Sequence, residues 1–363
     1  MGNTFLTPKI IANEALMVLE SQLTMANLVH RDYSKEFVKV GDTITIRKPA
    51  KFVAKNFVGT THGQDITEGS ADVKMDRFRD VTVNVTSKEL TLDIKDFSAQ
   101  VVTPALSAIA QAIDMDLLAV GVDKAGKTAT VSSTPKLEDI AGVGKALDMS
   151  KAPLQNRRLV LPAEIRYKYN TLDNFAKQCY AGDSKALRDA EIGKVYTCET
   201  YASENCPHSA ATTPGTATAY KVAGTKDTQQ FTVTNGTPTT GKIAAGDQLI
   251  VGGYLYTVTE DLTLTSGGGT LKVDQNLPAD IEATDAKVIS KAHALGFHRN
   301  GIALVTRQLE LPMGASKAYI ASANGLAVRV VMDYDSKSKT DSISFDIIYG
   351  IKELDTNLLV DFS

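Results

Sequence analysis

The sequence has few of the residues that build small-molecule or nucleic-acid sites. Its 363 residues include no tryptophan, and aromatic residues make up only 6% of the chain. This scarcity argues against a sugar-stacking cleft and against a platform on which bases stack. The formal net charge is −3, so overall charge gives no case for a nucleic-acid or membrane-surface binder, although a local basic patch is compatible with it.

Patterns for export and membrane insertion are missing as well. The N-terminal residues lack a basic region followed by an apolar run and a cleavage site, and they lack the myristoylation pattern. No stretch of about 18 consecutive apolar residues occurs, so we expect no membrane partner. Cys179, Cys198 and Cys206 are an odd number in a long chain, which favours free thiols and a reducing compartment. We therefore expect a protein made in the cytosol.

One catalytic motif is present in full. Residues 121–128 read GVDKAGKT and match the phosphate-loop pattern, with Gly121, Gly126, Lys127 and Thr128 at its defining positions. A phosphate cradle needs a buried strand before the loop and a helix N-terminus after it. Here a helical period precedes the motif and β-branched residues follow it. We interpret the octapeptide as the turn where a long helix ends, with glycines that break the helix and a solvated lysine.

The cysteines and a nearby histidine supply ligand types that suit zinc. Cys179, Cys198, Cys206 and His208 nevertheless lack the closely paired spacing of structural zinc sites. A cysteine–histidine nucleophile would need an orienting neighbour and oxyanion donors, which the sequence does not indicate. We interpret the cysteines as buried or incidental thiols.

The other polar groups are interpreted in the same way. His62, Asp65 and Glu68 lie together in a polar loop and have the ligand types for a cation, but a solvated loop explains them equally. His293 and His298 bracket a short apolar stretch where the chain re-enters a domain. The sequence thus predicts no catalytic residue, no cofactor-binding residue, no metal ligand and no enzyme.

Hydrophobic periodicity predicts the elements of the N-terminal third. Residues 8–28 form an amphipathic helix with one apolar stripe, and 42–49 and 75–86 alternate as strands of a long hairpin with a mobile tip. A helical period follows over 93–122, in which Pro104 either kinks the helix or opens its second half.

The rest of the chain predicts an α+β fold with an all-β segment inside it. Helices over 136–148 and 163–176 flank a buried strand at 157–162. Residues 207–290 then contain no arginine, are rich in threonine and glycine, and show short alternating segments separated by turn signals. We interpret them as a small barrel or sandwich inserted into the α+β part. A strong hairpin over 327–354 closes the chain.

These elements favour a subunit that interlocks with copies of itself. A terminal docking helix, a long hairpin and a long helix have little to bury against within one chain, and protruding strands are a liability unless a neighbour covers them. In this order they resemble the Hong Kong 97-type major capsid proteins of tailed bacteriophages, most closely the Salmonella podophage coat-protein family with an inserted β-barrel domain. The segments that carry the resemblance are 10–37 with 38–49, 93–118, 192–207, 293–312 and 326–354.

The resemblance covers essentially the whole chain and implies its division. The parts are an N-terminal arm helix (1–36), an extended β-hairpin loop (37–92), a spine helix of the peripheral domain (93–125), the first part of an axial domain (126–206), the inserted β-barrel domain (207–290), the return of the axial domain (291–325) and the closing strands of the peripheral domain (326–363).

The resemblance also implies partners. They are further copies of the chain in hexamers and pentamers of an icosahedral shell, a scaffolding protein, a portal, and double-stranded DNA enclosed non-specifically in a virion assembled in the host cytoplasm. Some relatives form a lysine–asparagine crosslink, for which Lys51 or Lys55 would be the donor, and we expect none here. Candidates for a modestly basic inner surface are Arg157, Arg158, Lys168 and Lys185.

Three alternatives stay open at this point. The first is an encapsulin-like shell, which the inserted β segment and the lack of a cargo-linked feature disfavour. The second is a nucleotide-binding or hydrolytic enzyme, which would need residues 121–128 or the cysteine–histidine set to form a working site. The third is a tail or adhesion protein, which the long helices fit poorly.

Overall fold

The computed structural model describes residues 8–31, 43–48, 56, 59, 69–86, 98–176, 192–312, 317–323 and 325–363. The chain divides into two compact units. The first is drawn from residues 1–22, 30–110 and 303–354, and the second from 23–29, 111–302 and 355–363. Each unit is assembled from three separate stretches of the chain, so neither is a continuous domain.

The first unit is built on a five-stranded sheet. Its strands are β3 (Arg77–Thr86), β17 (Ile302–Arg307), β18 (Lys317–Ala323), β19 (Leu326–Asp335) and β20 (Thr340–Glu353). The order is β17-β20-β19-β18, and β3 pairs antiparallel with β20. The closing hairpin is confirmed, since β19 and β20 pair up to Asp335 and Thr340. Asp335 stabilises its turn by accepting hydrogen bonds from the Lys337 N–H and the Ser338 hydroxyl.

The predicted N-terminal helix is present and docks within its own unit. It divides into α1 (Pro8–Gln22) and α2 (Met25–Leu28), and α1 packs against β18 and β19. The residues of its buried stripe recur at helical spacing and are Ile11, Ala12, Ala15, Leu16 and Leu19.

The predicted pairing of 42–49 with 75–86 is wrong. The partner of β1 (Thr43–Lys48) is β2 (Gly69–Lys74), a strand that the sequence analysis left inside the polar loop. Its initial glycine and serine obscured a short alternation in which Ala71 and Val73 are buried. The segment 75–86 is a strand as predicted, but it joins the five-stranded sheet instead. Most of the predicted hairpin tip lies outside the described residues.

The long apolar helix is confirmed over its described part. A π-helical turn (Ser98–Val102) leads into α3 (Thr103–Asp123), so Pro104 stands in the first turn of the α-helical part. The segment Gln100–Asp123 is long and apolar enough to cross a membrane, and 72% of its most apolar window is buried inside the protein. Asp114 and Asp116 interrupt the apolar run, which explains why a search for uninterrupted stretches misses it.

The second unit contains a six-stranded mixed sheet. The strands are β4 (Lys127–Ala129), β5 (Arg157–Leu161), β6 (Lys194–Val195), β7 (Cys198–Ala202), β16 (Ala294–His298) and β21 (Leu359–Phe362), in the order β4-β21-β16-β5-β7-β6. The accompanying helices are α4 (Leu137–Met149), α5 (Ala163–Asn170) and α6 (Asp173–Ala176). The apolar faces of α4, α5 and the sheet share one core that includes Ile140, Tyr169 and Phe362.

The Thr/Gly-rich segment forms a β structure with a core of its own. Its strands are β8 (Ala219–Gly224), β9 (Gln230–Thr237), β10 (Lys242–Ile243), β11 (Gln248–Val251), β12 (Tyr254–Thr257), β13 (Leu262–Thr263), β14 (Gly269–Lys272) and β15 (Ile281–Ile289). Six of them follow the order β12-β11-β15-β8-β9-β14, while β10 and β13 pair separately.

The ends of this six-stranded sheet are joined, so it closes into a barrel. The Thr259 N–H donates to the Lys272 carbonyl over 3.1 Å, and the Asp274 N–H donates to the Thr257 carbonyl over 3.0 Å. Phe231 and Tyr256 meet edge to face inside it, with ring centroids 5.2 Å apart. Closure removes the free edges that an open sheet would expose.

Two glycines of the GVDKAGKT octapeptide are required by close packing. A Cβ at Gly121 would lie 2.3 Å from Leu295 Cδ2, and one at Gly126 would lie 2.6 Å from the Thr356 carbonyl oxygen. A Cβ at Gly142, inside α4, meets nothing nearer than 3.9 Å.

We therefore predict opposite effects for matched glycine-to-alanine changes. Gly121→Ala and Gly126→Ala should each lower the free energy of unfolding by about 1–3 kcal/mol, because the added methyl overpacks its site. Gly142→Ala should leave it unchanged or raise it by up to about 1 kcal/mol through helix propensity. Urea unfolding of the unassembled chain measures all three, and equal effects at the three positions would contradict this packing.

Candidate functional site

The phosphate-loop pattern has none of the required surroundings. α3 continues through Gly121 to Asp123, so this glycine does not break the helix as predicted but packs inside it. The Gly126 N–H donates to the Thr356 carbonyl over 2.9 Å, and the exposed Lys127 begins β4. β4 pairs in parallel with β21. A helix precedes the pattern and a strand follows it, so the N–H groups of a helix N-terminus are not aimed at an anion here.

A buried carboxylate on α3 holds the segment that follows α1. Asp114 is 1% exposed and accepts hydrogen bonds from the backbone N–H groups of Thr24, Met25 and Ala26 over 2.9, 3.0 and 3.3 Å. It therefore satisfies the free donors at the start of α2, where Thr24 provides no side-chain cap. Burial raises the pKa of Asp114 to about 6, against the lowering effect of the three N–H donors.

A second polar cluster lies where the barrel joins the mixed sheet. Lys287 Nζ on β15 is 2.9 Å from Asp361 Oδ2, and His293 Nδ1 is 2.7 Å from Asp361 Oδ1. Burial opposes ionisation of Asp361, but His293 and Lys287 hold its pKa below the usual range. Lys287 also donates to the Val122 carbonyl at the end of α3, a favourable place for a cation.

The contacts of this cluster are structural. Among the described residues, no hydroxyl or thiol hydrogen-bonds the His293 ring, so a nucleophile is not activated there. The His293 backbone N–H donates to the Pro207 carbonyl over 2.9 Å, which brings together the two ends of the Thr/Gly-rich segment. The cluster is a structural brace that the sequence analysis described only as a re-entry point.

The two cysteines of the described chain, Cys198 and Cys206, are buried thiols. Cys198 and Cys206 are free and buried, and burial raises the pKa of both. His208 Nδ1 lies 2.9 Å from the Cys206 carbonyl oxygen. Within the described part of the chain no group of three His, Cys, Asp or Glu residues could hold a metal ion. Cys179, His62, Asp65 and Glu68 lie outside the described residues, as do Lys51 and Lys55.

The four residues suggested for a DNA-facing inner surface lie in different environments. Arg157 is 1% exposed, so its assignment to a surface is wrong. Arg158 donates to the Leu28 carbonyl, and burial lowers its pKa. Lys168 is exposed and pairs with Glu164 at 2.9 Å. Lys185 lies outside the described residues.

Arg157 is buried because two turns need its donors. Its Nε and Nη2 donate to the carbonyls of Pro153 and Ala152 over 2.8 and 2.7 Å. Nη1 donates to Thr197 Oγ1 over 3.2 Å and lies 2.7 Å from Asp148 Oδ1. One guanidinium thus joins the loop after α4 to the β6–β7 turn.

Comparison with solved structures identifies the architecture. The fold matches a chain of Mycobacterium phage Che8 with a TM-score of 0.57 and 17% identity, covering 94% of this chain and 91% of that one. It also matches the mature capsid of bacteriophage PhiM1 (TM-score 0.51, 9% identity, 89% and 82% covered) and the capsid of cyanophage P-SCSP1u (0.50, 11%, 90% and 84%). The chain has the fold of phage capsid proteins. No protein-family model and no curated protein sequence matches it.

The buried polar groups described above hold the fold together. Asp114, Arg157 and Asp361 each join segments that are distant in the sequence. The sequence analysis did not predict the contacts that these three residues make with distant segments.

Asp114 generates a prediction about pH. Because its pKa is raised in the folded chain, its contribution to stability is fully present below about pH 4 and is lost as pH rises through about 6. Asp114→Asn lacks this titration, so its unfolding free energy relative to the wild type should rise between pH 4 and 7, by up to about 3 kcal/mol.

The variant also loses one acceptor, which lowers its stability by a pH-independent amount of about 1–3 kcal/mol. Urea unfolding at a series of pH values measures the difference, with Asp227→Asn, an exposed turn residue, as the control for removal of one carboxylate. A stability difference for Asp114→Asn that is constant from pH 4 to 7 would refute the raised pKa.

The position of Lys127 generates a second prediction. A fluorescent ATP analogue with Mg²⁺ should show no saturable binding to the purified chain, and Lys127→Ala should give the same flat titration, because the loop has no anion cradle. Anisotropy is the measurement. Saturable binding that disappears in Lys127→Ala would restore the nucleotide-binding interpretation.

Proposed function

We propose that this chain is the major capsid subunit of a tailed bacteriophage, with a structural role and no catalytic step. Copies would assemble as hexamers and pentamers into an icosahedral shell that encloses double-stranded DNA. The observation that carries the proposal is the extent of the match. It includes about nine-tenths of this chain and more than four-fifths of chains from two phage capsids.

The elements of the structure support the finer assignment to the Hong Kong 97 type. α1 would be the N-terminal arm, the β1–β2 hairpin the extended loop, α3 the spine helix, and the five-stranded sheet the peripheral domain. The six-stranded mixed sheet would be the axial domain. The proposed boundaries are those given by the resemblance with three corrections from the sheet pairing. β3, from the predicted extended loop, and β17 and β18, from the predicted axial return, belong to the five-stranded sheet. β21, from the predicted closing strands of the peripheral domain, belongs to the mixed sheet.

We further propose that the barrel is an inserted domain. In the mixed sheet, β7 and β16 lie on either side of β5, so the sheet is complete without the strands between them in the chain. The His293–Pro207 hydrogen bond brings the two ends of that segment together. A segment that leaves and returns at one place, with its own core, fits an insertion.

Physical properties of the chain fit assembly from many copies. A shell is stable when weak contacts are repeated over a closed lattice, so each contact needs only modest apolar area. The net charge of −3 avoids strong repulsion between closely packed copies. A scaffolding protein and a portal are proposed as partners of assembly, and DNA as non-specific content of the virion, which forms in the host cytoplasm without a membrane partner.

The proposal predicts that the purified chain forms large assemblies. The full chain, produced in bacteria alone and with a candidate scaffolding protein, should give closed particles or hexameric sheets. After nuclease treatment, size-exclusion chromatography with light scattering measures the mass of the particles, and negative-stain microscopy shows their shape. Discrete monomers or dimers under every condition, with and without scaffold, would overturn the proposed function.

A further inference from the structure

Three large apolar side chains are exposed on two neighbouring turns of the second unit. Met149 ends α4 and is 72% exposed, Leu154 lies in the following loop and is 62% exposed, and Tyr196 lies in the β6–β7 turn and is 49% exposed. We call these three residues the Leu154 surface. Clustered exposed apolar side chains mark interaction sites more often than isolated ones do.

Hydrogen bonds of a buried arginine hold the two turns that carry the Leu154 surface. The buried Arg157 guanidinium bonds to Ala152 and Pro153 on one turn and to Thr197 on the other. Tyr196 itself packs close to α4, because a Cβ on Gly144 would lie 3.3 Å from its carbonyl oxygen. The backbone of the two turns is therefore held in one arrangement, which lowers the entropy lost on binding.

Four backbone conformations in these turns are ones that residues other than glycine rarely adopt. The φ angles are 57° at Lys151, 57° at Asn156, 44° at Tyr196 and 71° at Thr197. Such conformations persist only where the surrounding structure enforces them, and they concentrate at functional sites. Here the Arg157 bonds supply that enforcement.

The charges around the Leu154 surface select the class of partner. The exposed charged residues close to it in the sequence carry both signs, namely Lys145, Lys151, Lys194, Glu199 and Asp148, of which Asp148 pairs with Arg157. An apolar centre with a mixed polar rim is the pattern of protein–protein contacts. DNA or an anionic membrane would favour a rim of one positive sign, whereas a copy of the same chain brings lysines for the carboxylates and carboxylates for the lysines.

We propose that the Leu154 surface is a contact between copies of this chain in the assembled shell. This inference rests on the proposed function. Three side chains offer on the order of a few hundred Å², less than the roughly 800 Å² per partner of a stable pair. The surface is therefore too small to hold an isolated dimer, but it is sufficient as one contact repeated in a closed assembly.

The test compares two leucines that are exposed to similar degrees. Leu154→Glu should reduce the yield of particles at least tenfold, because a charge is placed in the apolar centre. Leu311→Glu, at a leucine 51% exposed in the first unit, should assemble as the wild type does. The unassembled chains should share one circular dichroism spectrum and melting temperature, and Met149→Lys repeats the test should Leu154→Glu fold poorly.

A covalent probe identifies the partner directly. Tyr196→p-benzoylphenylalanine, irradiated within assembled particles, should yield covalent dimers of the chain. The inference would be overturned if Leu154→Glu and Met149→Lys assembled at wild-type yield, or if Leu311→Glu lost as much particle yield as they do. Cross-links only to DNA or to another protein would overturn it as well. None of these outcomes would contradict the proposed function. That proposal fails only if the wild-type chain itself never assembles.

Discussion

A helix that is apolar on nearly every side has to be covered on nearly every side, and α3 imposes that requirement on this fold. The helix runs through the division between the two units, which falls between Ala110 and Gln111. A helix of this composition left in water would be an aggregation site, so the surrounding segments are arranged to bury it. The apolar sequence of α3 thus explains why segments of the second unit that are distant in the sequence pack against its second half.

The few polar atoms of α3 are used to attach those segments. Asp114 satisfies the N–H donors at the start of α2, and the Val122 carbonyl accepts from Lys287 of the barrel strand β15. Gly121 allows Leu295 of the mixed sheet to approach closely. Each contact joins residues far apart in the sequence, so these segments of the second unit are held to α3 by long-range contacts.

The sequence predicted those elements whose pattern is local. α3, α4, the closing hairpin and the barrel strands each carry a clear period of 3.6 or 2, and all are present. β2 was missed because a glycine and a serine open it, which shortened its alternation to Ala71 and Val73. The pairing of β3 was missed because its partner, β20, lies some 260 residues later in the chain, and periodicity carries no information about such pairings.

The local sequence pattern could not predict which charged residues are buried. Arg157 has the composition of a surface residue, and only the folded turns around Ala152 and Thr197 explain why it is buried. Asp114 sits in an apolar run, where a carboxylate is a signal of special structure, but its three backbone partners are about 90 residues away. The negative result for catalytic motifs could be obtained from sequence, because it depended on spacing and on flanking elements.

The proposed function requires that many copies of this chain join into one closed shell. The most direct measurement is a cryo-electron microscopy map of particles purified after production of the full chain. The account predicts a closed icosahedral lattice in which the five-stranded sheet, the mixed sheet and the barrel recur at every hexameric and pentameric position. A map in which this fold fits none of the lattice positions would contradict it.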